Sequence, residues 1–213
     1  MPVQSQLPAP GHGHAARTAN DIASCPLFKY KYATMQLPLE AKLKDETPVE
    51  LRLAGNQDLP ALAKLYDRIV AEGTSYPHER PVTDDEFLDY WVRGKSTVVA
   101  YERPRKTDAK LVGAFYLKPN WPGRAGHVAN AGFIAAPEWR NRGLGRLLGA
   151  VMLDYAKELG YRSVIFNLVF SENLAARHLW EKLGFRVLGT IPGAVRATGG
   201  QYQDALIMFR SLV

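Results

Sequence analysis

Six consecutive residues, Arg140-Asn141-Arg142-Gly143-Leu144-Gly145, place two guanidinium groups and two glycines between an apolar stretch, 131–136, and an amphipathic one that runs to Leu159. Glycines let the backbone turn tightly with its N–H groups facing inward, the arginines add charge, and a helix that follows presents the positive end of its dipole. The chemistry of such a loop is to hold a pyrophosphate. The helix is read from Leu144, Leu147, Leu148, Val151, Met152, Tyr155, Ala156 and Leu159, which keep the i, i+3, i+4, i+7 spacing of one buried face. Upstream, 128–136 is apolar except for Asn130, and Pro137 removes a donor where a strand must end. Two known phosphate loops share this strand, loop and helix layout. The Walker loop needs Lys-Ser/Thr after its last glycine, where Arg146 stands here; the dinucleotide fingerprint needs a third glycine, which is missing. Taken alone, the loop is also compatible with a plain glycine turn carrying surface arginines.

A second group of candidates is a pair of amides. Asn130 and Asn167 fall inside apolar strand-like stretches, where an unpaired amide costs roughly 1–3 kcal/mol. Either both bond neighbouring backbone as core amides, or they face a site and orient a reactant there. A polar loop over 72–81 adds Tyr76, able to stack on or hydrogen-bond a small acceptor, and His78 and Glu79, able to relay protons, although surface-loop roles suit all three.

The rest of the chain limits the alternatives. Its 213 residues, 46% hydrophobic and 23% charged, suit one well-buried core. No apolar run reaches the roughly 18 residues of a membrane span, and the amino terminus lacks the basic start and apolar block of a secretory signal. A soluble, cytoplasmic protein without a membrane partner is expected. A net charge of +6 would attract an anion, but the 27 basic residues are scattered, which disfavours a nucleic-acid partner. Cys25 has no second thiol to pair with, and no Cys/His cluster has metal spacing, so no metal is expected; His12 and His14 read as tail composition.

Positioning elements follow from local patterns. Residues 1–21, rich in Pro, Gly, Ala and Gln, read as a mobile tail with too few basic residues to mark an organelle signal. Phe28, Tyr30, Tyr32, Met35 and Leu37 suggest an extended arm, so 1–45 is set apart from a domain over 46–213. Val49, Leu51 and Leu53 alternate as a strand, Asp58 can cap a helix bearing Leu62, Leu65, Ile69 and Val70, and a short helix follows over 83–92. A hairpin over 97–101 and 111–117 precedes the loop 118–124 and the strand, cradle and helix already described. A strand over 163–170, a helix capped by Ser171 or Asn173 and ending at Gly184, and two strands over 186–191 and 202–209, joined by a turn over 192–200, complete a mixed α+β sheet.

This order of elements, the Arg140-x-x-Gly143-x-Gly145 loop and the run Asn173-Leu-Ala-Ala-Arg-His-Leu-Trp-Glu-Lys-Leu-Gly-Phe185 together resemble the GCN5-related N-acetyltransferase (GNAT) superfamily, over about 49–209. The resemblance implies a mostly antiparallel sheet with a splayed pair of parallel strands, flanked by about four helices. It implies acetyl-coenzyme A (acetyl-CoA) as donor and an amine as acceptor. By position, Arg140, Asn141, Arg142, Gly143, Leu144 and Gly145 would bind the pyrophosphate. Phe133, Ile134 and Ala135 would lie along the pantetheine, with Gly132 in the bulge that splays the strand. Asn173 would turn its amide to the pantetheine, cap its helix, or do both. Many relatives carry a tyrosine at the position of Trp180, whose hydroxyl protonates the departing thiolate. An indole N–H is far too weak an acid for this, so Trp180 reads as a wall of the cofactor site.

Further stretches, Lys118-Pro-Asn-Trp-Pro-Gly-Arg124, His127-Val-Ala-Asn-Ala-Gly-Phe133, Phe166-Asn-Leu-Val-Phe170 and Asp204-Ala-Leu-Ile, resemble the fungal acetyltransferases that detoxify the proline analogue L-azetidine-2-carboxylate. In that group the asparagines matching Asn130 and Asn167 lie at the reacting centre and hold the acceptor; Tyr76, from the 72–81 loop, remains a separate candidate for acceptor binding. The expected reaction is direct transfer of acetyl to a small amino-acid-like amine in a ternary complex, helped by a water relay or capture of a neutral amine. A protein N-terminal or lysine acetyltransferase and a non-catalytic acyl-CoA sensor are the alternatives. A homodimer is expected by analogy alone.

Overall fold

The computed structural model describes residues 37–103 and 109–213. The expected tail, Cys25, the two tail histidines and the arm residues Phe28, Tyr30, Tyr32 and Met35 lie outside them. In chain order the elements are β1 (Leu39–Lys42), β2 (Pro48–Leu53), α1 (Leu59–Glu72), α2 (Asp84–Trp91), β3 (Ser96–Glu102), β4 (Leu111–Pro119), β5 (Val128–Ala135), α3 (Leu144–Glu158), β6 (Ser163–Phe170), α4 (Leu174–Lys182), β7 (Arg186–Arg196) and β8 (Tyr202–Ser211). Eight strands form one sheet in the order β1-β2-β3-β4-β5-β6-β8-β7. Every neighbouring pair is antiparallel except β5 with β6. This is the mixed α+β architecture expected from the order of patterns.

Local chemistry explains most boundaries. Thr83 and Glu86 form a reciprocal capping box that starts α2, while Gly73 ends α1 in a left-handed conformation, φ 67°. In α3 the residues Leu144, Leu148, Val151, Met152 and Ala156 are buried, as their spacing requires. The strand begun by Val49 has a partner, β1, within the stretch read as an extended arm. Strand β7 runs on to Arg196, so the turn expected over 192–200 is confined to its second half. Lys118, read as loop, belongs to β4.

Asp58 departs from the expected helix cap. It precedes α1, but its side chain makes no cap hydrogen bond. The carboxylate is 1% exposed and accepts both Arg52 guanidinium nitrogens at 2.7 Å, the Gly55 N–H at 2.7 Å and the Tyr101 hydroxyl at 2.8 Å. Burial pushes its pKa up, but these donors outweigh it and hold the carboxyl at about 2. One side chain thus joins β2, β3 and the start of α1.

A folded pKa below the ordinary aspartate value means stabilisation that is complete above about pH 4 and lost as the pH falls toward 2. Urea denaturation should detect this loss in the wild type and not in Asp58→Asn. At pH 7 that variant should be less stable by about 3 kcal/mol, because the half-buried Arg52 loses its bidentate partner and keeps only Glu50, at 3.8 Å.

Candidate active site

The one parallel pair is short. Strands β5 and β6 pair only at Val128 with Ser163 and Ala129 with Val164. One residue further on, the Asn130 amide Nδ2 donates to the Ile165 carbonyl at 2.9 Å, and beyond it the strands diverge around a cleft of about 320 Å³. The amide bridges the crotch of a fork. Asn130 therefore behaves as a core amide through its nitrogen, while it also lines the cleft.

Aromatic side chains build the floor. Phe133 and Phe166, one from each diverging strand, both meet Trp180 of α4 at 4.7 Å between ring centroids, and Phe166 stacks on Phe185 at 4.5 Å. Trp180 is buried against them and lines the cleft. Phe133 contributes its ring to this floor, Ile134 is buried, and Ala135 is the last residue of its strand.

A wall of tyrosines faces this floor. Tyr76 is buried and its hydroxyl donates to the Phe133 carbonyl at 2.9 Å, so it holds the strand rather than presenting a free hydroxyl. Tyr90 and Tyr116 line the same wall, ring to ring at 5.8 Å. Burial pushes the pKa of all three upward, which keeps them neutral hydrogen-bond donors at physiological pH. Gly132 is not in a bulge: β4 and β5 stay in register across it, with Tyr116 directly opposite. The tyrosine ring lies over it, and an added Cβ would come within 2.4 Å of the ring. The bulge is in β6 instead, where two residues, Asn167 and Leu168, lie between the partners of Met208 and Leu206.

That bulge corrects the placement of Asn167. Its side chain is exposed at the rim, where Nδ2 donates to Asn120 Oδ1 at 2.6 Å. Among the described residues, the buried Nδ2 of Asn120 has no partner. Asn173 caps α4 by accepting from the Ala176 N–H at 3.1 Å and donates to the Thr74 carbonyl at 3.3 Å. His78 bonds the Tyr66 hydroxyl at 2.7 Å, and burial lowers its pKa. Glu79 pairs with Arg196 of β7. These two side chains line a neighbouring cavity, not the cleft. Among the described residues, no aspartate, glutamate or histidine lines the cleft.

Of the two glycines expected to turn the loop after β5, Gly143 does so, whereas Gly145 already lies in the first turn of α3. Asn141 and Gly143 both take left-handed conformations, φ 62° and 91°. Among the described residues nothing accepts from the N–H groups of 141–143, which precede the open N-terminus of α3 that begins at Leu144 and Gly145. Both arginines, however, are already paired. Arg140 meets Glu72 at 2.7 Å; Arg142 meets Asp45 at 2.5 Å and Thr47 at 2.7 Å, and lies 4.0 Å over the Trp139 ring. Sequence reasoning missed Lys44, whose N–H donates to the Arg142 carbonyl at 3.1 Å and whose stem lies over Gly143. It also missed Tyr90, Tyr116, Lys118 and Asn120, which nothing in their local spacing marks.

A forked parallel pair with a turn of free N–H groups beyond it agrees with a match of residues 62–185 to the model of the acetyltransferase (GNAT) family. The chain belongs to this family. It is an N-acetyltransferase, and acetyl-CoA is its acetyl donor. N-acetyltransferase aca1 of Schizosaccharomyces pombe is 35% identical over 148 residues, 63% of this chain and 71% of the relative. L-amino acid N-acyltransferase MnaT of Escherichia coli is 25% identical over 162 residues, 75% of this chain and 92% of the relative. The solved structure of a GCN5-related N-acetyltransferase from Kribbella flavida superposes with a TM-score of 0.70 at 34% identity, covering 76% of this chain and 97% of that one.

The two asparagines should separate in stability measurements. Asn130→Ala strands the Ile165 carbonyl and should cost about 1–3 kcal/mol in chemical denaturation. Asn167→Ala, at an exposed rim, should cost less than about 0.5 kcal/mol.

Proposed function

We propose that this acetyltransferase acetylates a small amino-acid-like amine, with a cyclic secondary amine such as L-azetidine-2-carboxylate as the leading candidate. The observation that carries the reading is the fork: a cleft of about 320 Å³, closed at its crotch by Asn130, rimmed by Asn167 and holding no acidic side chain. The loop over 72–81 is tied to β7 by the Glu79–Arg196 pair, which bridges one flank and favours a small acceptor over a polypeptide. The similarity to an L-amino acid N-acyltransferase points the same way.

In this reading the free N–H groups of 141–145 bind the cofactor's pyrophosphate, with Lys44 rather than the paired arginines supplying unspent charge. Phe133 to Ala135 accompany the pantetheine, and Asn173 stands at its side. The amine nitrogen attacks the thioester carbonyl carbon, the tetrahedral oxyanion collapses, the C–S bond breaks, and thiolate leaves. Asn167 and the open face of Asn130 orient the amine and its carbonyl partner. With no carboxylate or imidazole among the described residues that line the cleft, the attacking nitrogen arrives neutral or loses its proton to water. Trp180 cannot protonate the thiolate, and water or a neutral tyrosine hydroxyl takes that part.

Purified protein with acetyl-CoA should release thiol with L-azetidine-2-carboxylate and not with peptides; the opposite pattern would sink the small-amine reading. Asn167→Ala should lower kcat by about tenfold or more while acetyl-CoA still binds. The rising limb of kcat/KM against pH should follow the acceptor, moving to higher pH for acceptors of higher amine pKa. A limb that stays in place across acceptors would point to an enzyme base instead.

A further inference from the structure

Among the described residues, Lys118 is the one lysine or arginine that lines the cleft. It sits near the end of β4, directly across from Asn130 in the register, on the face it shares with Tyr116 and Gly132. Among the described residues its side chain makes no hydrogen bond and no ion pair, and no acid lines the cleft to neutralise it. A second lysine stands behind the same wall. Lys95 lies 5.8 Å from the Tyr116 ring centroid and donates to the carbonyls of Asp89 and Arg93 at the end of α2. Burial, followed by the charge of Lys118, lowers the pKa of Lys95, so the two ammonium groups feel each other. Uncompensated charge of one sign in a low-dielectric cleft attracts an anion.

The cofactor's phosphates do not answer this charge. The turn of free N–H groups follows Ala135, whereas Lys118 faces Asn130 at the other end of the strand, about 16 Å away along β5 at the usual strand rise. The anion at the Asn130 end must come with the acceptor. We propose that Lys118 anchors a carboxylate of the acceptor, so that the substrate is a free α-amino acid or a close analogue. This rests on the small-amine reading and narrows it. A peptide N-terminus, whose α-carboxyl is an amide, and a polyamine, which would bring a second positive charge, both leave Lys118 unanswered. Lys118 holds the acceptor and takes no part in bond making.

The test compares thiol release with L-azetidine-2-carboxylate and with its carboxamide, which removes the charge and keeps the ring nitrogen. Wild-type protein should prefer the carboxylate by about tenfold or more in kcat/KM. Lys118→Met should raise KM for the carboxylate by about tenfold, change kcat much less, and collapse the preference toward one. Lys118→Arg should retain most of it, since the charge is kept. Acetyl-CoA affinity, measured by calorimetry, should stay within about twofold in both variants and certifies that they are folded. An unchanged carboxylate KM in Lys118→Met, or a wild type indifferent to the carboxylate, overturns the anchor while small-amine acetylation stands. No thiol release with either acceptor from a wild type that binds acetyl-CoA overturns both.

Discussion

Two strands that begin as parallel neighbours and then part leave backbone donors and acceptors facing an opening inside a sheet, and the remainder of this molecule is organised around that exposure. Buried backbone groups without partners are costly, so a fork persists only where side chains or a ligand meet them. Here the Asn130 amide meets the Ile165 carbonyl at the crotch, and the Tyr76 hydroxyl meets the Phe133 carbonyl further along. Rings from both strands and from α4 fill the space beneath, so the strands cannot close on one another. The opening is thus a built feature of the fold.

Charge is distributed around the fork with the two ends treated differently. At the loop beyond β5 the conspicuous arginines are held by Glu72 and Asp45, and they knit α1 and the β1–β2 turn to the loop. Their guanidinium groups shape the turn, and free N–H groups are what it presents. At the opposite end the described residues lining the cleft include a lysine and no acid. The tyrosines of the wall stay neutral because burial disfavours the phenolate.

Residues whose role depends on near neighbours in the chain were legible. Gly143 turns the loop, Asn173 caps α4, and the apolar spacing of α3 matches its buried face. Those whose role depends on a partner far along the chain were not. Asp58 looked like a cap because caps are local, yet its partners include Tyr101, 43 residues away. Gly132 looked like a bulge, yet it makes room for Tyr116 from the adjacent strand. Asn167 looked buried because its neighbours are apolar, but the bulge turns its side chain to the rim. Lys118 looked like loop.

The sequence by itself determined the fold class, because helix periodicity, glycine turns and caps are short-range properties written in consecutive residues, while the family and the donor came from the resemblance of its motifs to known acetyltransferases. Only the tertiary structure decided which strands part, which amide closes the fork, which cations are already paired and which one is left facing the cleft. Those outcomes depend on register, and register joins residues whose separation in the chain carries no local signature.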